Sequence, residues 1–449
     1  MGFRIRARLR RRTALLVAFA ACATGVVACA GDDDRPTVTV LGTWTGAEAT
    51  AFERVVAPFE QRTGIDVVYE GTRDVDAVLA ARVDDGTPPD LAALSSPGNL
   101  IRFAQAGRLV ALDDLPGLAA SDRDYAADWV TLGRVGGKRV AVVVKAALKS
   151  LIWYDPRTLS ERSLRPPATW SEMTSVAQAL ARDGIRPWCV GLASSSASGW
   201  PGTDWIEDIV LSRYGPAVYD RWVDGELEWT SEQIRGAWRT WGDLLAVGAD
   251  GGTGTGTGTG SGGPMRALLT PYDRAGADLV AAEPGCGLEH QASFAAGWYA
   301  AAPGGPVPGV DYDFVPFPAF SPPVASGAGP GAPAREVAGD VMAMFDDTPA
   351  ARELIAYLAG TEAQTLWVRE GALSANRGVP PTAYPSQPVA QRLGKALADA
   401  EAIRFDASDR MPGPMRGAFH RAVLAFVANP ADLDAILQDL EQARLAAYA

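Results

Sequence analysis

Four cysteines and two histidines in 449 residues leave little material for metal or thiol chemistry. There is no CxxC pair and no HExxH, so no recognisable zinc site arises, and no metal or cofactor is expected. Neither His290 nor His420 has a triad context, and no GxSxG turn offers a serine nucleophile. Basic residues are the minority, 41 Lys and Arg against 53 Asp and Glu, for a formal charge of −12. With a pI near 4.8 the chain lacks the clustered cations that nucleic acid demands. Beyond the N-terminus no apolar run approaches the roughly 20 residues of a membrane span, and no internal repeat is visible.

What basic charge there is gathers at the start. Arg4, Arg6, Arg8 and the run Arg10–Arg12 precede an apolar stretch, Thr13–Ala28, that ends in Val26-Val27-Ala28-Cys29. This is the layout of a signal peptide over residues 1–28. Cys29 sits as in a lipobox, where cleavage before the cysteine is followed by lipid attachment; ordinary cleavage would leave a free secreted protein instead. Adjacent arginines leave both general and twin-arginine export open. Residues 29–36 are polar and read as a tether, so the protein is expected on the outer face of the cytoplasmic membrane. Only Cys189 and Cys286 remain in the body, and an exported compartment favours a disulfide between them over two buried thiols.

A length of 449 residues and 47% apolar content suit two lobes rather than one core. From Val38 the pattern alternates: strand Val38–Leu41, helix Ala47–Thr63 stopped by Gly64, strand Ile65–Tyr69, helix Val75–Asp85, strand Asp90–Leu94 and a helix to Ala106. Such βαβ units build a parallel sheet. A hairpin over Val135–Val140 leads into Ala141–Val144, and the apolar Lys149–Pro156 run marks a crossing to a second lobe. There Pro166–Met173 announces a helix through Ala181, and Trp188–Leu192 reads as a strand. Gly251–Gly263 is nearly pure Gly and Thr and, like Ser321–Ala334, reads as a surface loop. The last hundred residues are a series of amphipathic helices.

In order along the chain, Trp44-Thr45-Gly46 with Glu48, Pro89-Asp90, Lys149–Tyr154, Trp200–Asp208, Pro284–Phe294 and Ala338–Asp340 resemble extracellular solute-binding proteins of the family that captures oligosaccharides for ABC importers, most closely α-glucoside receptors. Gly287 departs from the pattern, which has a bulky residue there. The resemblance implies an α/β, two-lobed periplasmic-binding-protein-like fold (type II) with a hinge and an interlobe ligand cleft. It implies lobe one over 37–146, lobe two over 147–282, a return to lobe one over 283–340 and a finish in lobe two over 341–449. It further implies a non-enzymatic monomer that binds a sugar and hands it to ABC permease subunits.

A pyranose has an apolar C–H face and a hydroxyl rim, so its site needs aromatic planes and carboxylates or amides. Trp44 lies in the first βα loop, at the carboxyl end of a parallel strand where ligands bind. Glu48 could accept a sugar hydroxyl or simply favour a helix N-terminus. Asp90 offers a carboxylate or a turn cap. Trp153 and Tyr154 point to opposite faces of one strand, so one of them can reach the cleft. Asp204 and Trp205 read as lying in a Gly-Pro loop before a helix, where Asp204 could bind ligand or cap that helix. Gln291, Trp298 and Asp340 complete the candidates. Two rivals stand beside this reading: a receptor of the same fold for a glycerol phosphate, and a glycoside hydrolase using Asp204 and Glu207 as acid and base.

Overall fold

The computed structural model describes residues 35–247, 263–320, 334–400 and 402–449. The leader, Cys29, the tether up to residue 34, the Gly-Thr stretch up to residue 262 and residues 321–333 lie outside the described residues. Residues Pro36–Ala449 form one compact unit. Among the described residues no helix is long and apolar enough to cross a membrane.

Twelve strands are described: β1 Thr37–Gly42, β2 Asp66–Gly71, β3 Leu91–Leu94, β4 Arg134–Val135, β5 Lys138–Arg139, β6 Ala141–Leu148, β7 Leu151–Tyr154, β8 Arg186–Trp188, β9 Cys286–His290, β10 Asp313–Pro316, β11 Arg335–Met344 and β12 Ile403–Phe405. Two sheets dominate. The first runs β12-β11-β3-β1-β2, with β6 also paired to β11, and the second runs β10-β7-β9-β8. β1 is parallel to both β2 and β3, as alternating strands and helices require. The helix Ala47–Thr63 has the predicted bounds and buries Ala51, Phe52, Val55, Val56 and Phe59, one face at helical spacing. That face joins the helices Pro349–Ala359 and Thr361–Arg369 over the first sheet, through Leu354, Ile355, Leu358 and Trp367.

The second sheet is covered differently. Helices Trp200–Tyr214, Glu232–Ala246, Gly413–Ala428 and Leu433–Ala447 contribute Ile206, Trp238, Phe419 and Leu437 to a separate, tryptophan-rich core. The helix Trp170–Arg182 packs there too. It opens with a reciprocal capping box, in which Thr169 Oγ1 accepts from the Glu172 amide while Glu172 accepts from the Thr169 amide. Below it lies Gly287, where a Cβ would stand 2.5 Å from Leu180 Cδ1, so close helix packing explains the missing bulky residue.

The crossings between lobes differ from those expected. β9 and β10 pair with β7 in the second sheet, so residues 286–316 belong to lobe two and the return to lobe one begins at Arg335. Pro349–Arg369 and β12 then stay with lobe one, and the final crossing falls at Asp406 rather than near residue 341. The resemblance implies the order of visits, but the bounds depend on sheet pairing: β7 to β9 is a pairing across more than a hundred residues, which local periodicity does not reveal. The disulfide Cys189–Cys286 is present, with Cα atoms 5.5 Å apart across a sequence separation of 97, and it ties the end of β8 to the start of β9.

Candidate functional site

The lobes meet at several points. Ser196 Oγ donates to Asp74 Oδ1 at 2.7 Å, Arg416 Nη2 to Asp76 Oδ2 at 2.5 Å, and Ser96 Oγ to the Asp409 carbonyl at 2.8 Å. Beside them, lobe one presents charge. Glu48, at the start of the first helix, pairs with Lys145 Nζ at 2.5 Å and with Arg73 Nη2 at 3.1 Å. Burial works against the Glu48 carboxylate, yet the two cations hold its pKa below the ordinary value.

Behind this rim is a packed aromatic base. Trp44 is only 1% exposed, enclosed by Phe52, Tyr69 and Trp367 with ring centroids 4.9 to 5.9 Å away. Its indole Nε1 donates to Asp340 Oδ2 at 2.7 Å, and Tyr69 Oη donates to the Trp44 carbonyl at 2.9 Å. Burial raises the Asp340 pKa, against the opposing pull of Lys145.

Lobe two presents rings. Trp200 lies 5.1 Å from Tyr272 and 6.2 Å from Phe294, while Trp298 lies 5.3 Å from Tyr272 and 5.1 Å from Phe294, so the four rings close a circuit. All four are partly exposed. Burial raises the Tyr272 phenol pKa, and the charges of Arg73 and Glu48 on lobe one also act on it, so the aromatic wall lies within electrostatic reach of the charged rim. One wall offers π faces and the other offers hydrogen-bonding groups, the two requirements of a polyol site.

Where the three crossings converge there is a buried polar cluster. Lys149 Nζ bonds Asp204 Oδ2 at 2.7 Å and Asp406 Oδ2 at 2.9 Å, with all three side chains at most 5% exposed. Ser150 Oγ donates to Asp208, whose other oxygen is 2.7 Å from His290 Nε2. Glu207 accepts from the amides of Ala407 at 2.7 Å and Ser408 at 3.2 Å. Burial raises the Glu207 and Glu336 pKa values, and the neighbouring carboxylates push them further up. Asp204, Glu336 and Asp406 each offer an oxygen within 4.8 Å of the others, a spacing that suits a cation. The Lys149 ammonium already bonds two of the three, so the positive charge this grouping calls for is supplied by the chain.

Against this geometry the ten candidates divide. Glu48 lies on the rim and Trp298 on the wall. Trp44 and Asp340 lie directly behind the rim and support it. Trp153 is fully buried beside Tyr299 and Phe314, its Nε1 donating to the Gln291 carbonyl, and Tyr154 is 7% exposed in the lobe-two core. Both faces of β7 are covered, so neither ring reaches the cleft. Trp205 is buried between Trp188 and His290. The helix carrying it begins at Trp200 with Pro201 in its first turn, where proline is tolerated, so Asp204 and Trp205 are helical rather than in a loop, and Asp204 is no cap. Asp90 accepts from the amide and hydroxyl of Thr39 at 2.7 and 2.6 Å. It immediately precedes β3, at the opposite strand end from Trp44. Gln291 is buried, and its Oε1 accepts from the Ala292 amide.

Arg73, Lys145, Tyr272, Trp200 and Phe294 are not among the ten candidates, although Trp200 and Phe294 fall within motifs the sequence singles out. Arg73 follows the carboxyl end of β2 as Trp44 follows that of β1, so the same rule would have found it. Tyr272 carries no such local signal.

The profile of the family described as bacterial extracellular solute-binding protein matches residues 43–365. The osmoprotective compounds-binding protein GgtB of Synechocystis sp. is 35% identical over 415 residues, covering 92% of this chain and 93% of that protein. The alpha-glucosides-binding periplasmic protein AglE of Rhizobium meliloti is 32% identical over 409 residues, covering 89% of this chain and 85% of its own. Among solved structures, the bacterial solute receptor AcbH superposes with a TM-score of 0.77 at 17% identity, over 92% of this chain and 100% of that one, a likeness of fold.

Proposed function

The chain belongs to the bacterial extracellular solute-binding protein family, the exported solute-capturing components of ABC importers, and we propose that its solute is a neutral, hydroxyl-rich molecule: an α-glucoside, or an osmoprotectant of the same chemistry. The observation that carries this reading is the four-ring wall of Trp200, Tyr272, Phe294 and Trp298 on lobe two, together with the Glu48, Arg73 and Lys145 rim on lobe one. A pyranose lays its C–H face on such rings and its hydroxyls against such a rim. The names of the two curated relatives support the same ligand class.

The proposed cycle has no covalent step. The open form admits solute, the lobes close on it, and the closed form is what the permease recognises. Asp204 and Glu207, which a hydrolase would use as acid and base, are held in the hinge by Lys149 and by backbone amides. Attachment through a lipid on Cys29 keeps the receptor beside its permease.

Isothermal titration of the mature protein with maltose, trehalose and sucrose, alongside glycerol phosphates, tests the reading. Saturable heat with a sugar that is recovered intact supports it. Heat only with the phosphates, drawn by Arg73 and Lys145, moves the ligand class. Recovery of cleaved sugar refutes the non-catalytic cycle.

A further inference from the structure

Lys149 stands where all three crossings meet. Its amide donates to the Glu336 carbonyl at 3.0 Å, joining the first crossing to the second, and its ammonium reaches Asp406 at the third, whose own amide donates to the Val337 carbonyl at 2.8 Å. The same ammonium holds Asp204 on the helix Trp200–Tyr214. It also lies 4.6 Å from the centroid of the Trp200 ring, the first residue of that helix. A buried cation over an indole face is attracted by the ring quadrupole, more strongly where water is excluded.

Trp200 has little other freedom on its N-terminal side. Gly199 has φ 109°, a left-handed conformation, and a Cβ there would stand 2.3 Å from the His420 carbonyl oxygen. The chain is thus pinned against the helix Gly413–Ala428 just before the ring, and the remaining setting of the indole depends on what faces it. On one side that is Lys149; the Tyr272 and Phe294 rings stand steeply tilted to it, at 67° and 66°.

We propose that Lys149 is a positioning residue that couples the hinge to the ligand wall: its ammonium, tied to the third crossing by Asp406, sets the plane of Trp200 on which the solute stacks. Bending the crossings then moves the ring, and a solute that favours one setting of the ring favours one setting of the hinge. This rests on the stacking role given above to the aromatic wall.

A double-mutant cycle separates this coupling from mere support of the fold. Lys149→Met and Trp200→Leu are made singly and together in the mature protein, and affinity is measured for whichever of maltose, trehalose and sucrose the wild type binds. Lys149→Met is expected to weaken binding roughly tenfold to thirtyfold in the wild-type background and less than about twofold beside Trp200→Leu. Equal losses in both backgrounds would overturn the proposal. If Lys149→Met does not fold with its two aspartates left uncompensated, Lys149→Met with Asp204→Asn takes its place in the same cycle. A ligand-free arm keeps the inference testable if no sugar binds the wild type, a result that would count against the solute class and not against the coupling. The emission of Trp200, taken as wild type minus Trp200→Leu, is expected to shift when Lys149 is replaced; an unchanged difference spectrum refutes the contact between ammonium and indole.

Discussion

Glu289 lies beneath the aromatic wall, and among the described residues no cation pairs with it. It is 2% exposed, and one oxygen accepts from Tyr299 Oη at 2.7 Å. Tyr299 belongs to the helix Ala295–Ala300 that carries Trp298. The same carboxyl leans on the turn Tyr272–Asp278, since a Cβ on Gly276 would come within 2.0 Å of its Oε2. Burial lifts its pKa from 4.5 to about 8, only partly opposed by the tyrosine hydroxyl. The folded protein therefore prefers the neutral acid, while the unfolded chain ionises near 4.5. The stability this preference contributes is fully present below pH 4.5 and is lost progressively as pH rises to about 8.

The size of the loss follows from the shift. At about 1.36 kcal/mol per pH unit, the rise to about 8 sets a ceiling of about 5 kcal/mol. Relaxation of the folded protein and entry of water around the ionised carboxylate reduce it, and about half is a reasonable expectation. Glu289→Gln keeps an acceptor for Tyr299 and removes the ionisation. Urea denaturation of both proteins at pH 5, 7 and 9 isolates the term, because the other titrating groups cancel in the difference. The variant should match wild type within about 1 kcal/mol at pH 5 and exceed it by roughly 2 to 5 kcal/mol at pH 9. A difference that stays flat from pH 5 to 9 would refute the argument from burial.

Four further outcomes follow from the same geometry. Trp298→Ala should weaken sugar binding roughly threefold to tenfold by calorimetry, the worth of one stacked ring, with little change in melting temperature. Asp90→Asn should do the reverse, leaving sugar affinity unchanged while costing about 1 to 3 kcal/mol in urea titration, because its carboxylate holds β1 to β3 through Thr39. Cys189→Ser with Cys286→Ser should lower stability by up to about 4 to 5 kcal/mol in the chain-entropy account, and a reductant should destabilise wild type but not the double variant. Cys29→Ser should abolish incorporation of labelled fatty acid in the native host and release the receptor from the membrane.

How far the sequence could be read depended on whether a residue's partners are near it in the chain. The helix Ala47–Thr63, the capped start of the helix Trp170–Arg182 and the βαβ opening are local matters of period and capping; the first is legible to the residue and the others to within one or two. Trp44 also obeyed a rule of position, at the end of a parallel strand, yet its burial depended on Trp367, more than three hundred residues away, which closes over it. Trp153 and Tyr154 show the limit more sharply. Alternation along one strand says that one ring faces each side, and it was inferred that one side is the cleft. β9 and β10 flank β7 on its two edges and helices cover its two faces, so both sides are core. The acids of the Trp200–Asp208 run were ambiguous for a related reason: a carboxylate after a Pro-Gly pair serves a ligand, a cap or an ion pair equally well. Only the arrival of Lys149 and Asp406 from two other crossings decides in favour of the ion pair. The hinge is thus the part least visible in any one segment, because it consists of the places where three distant segments meet.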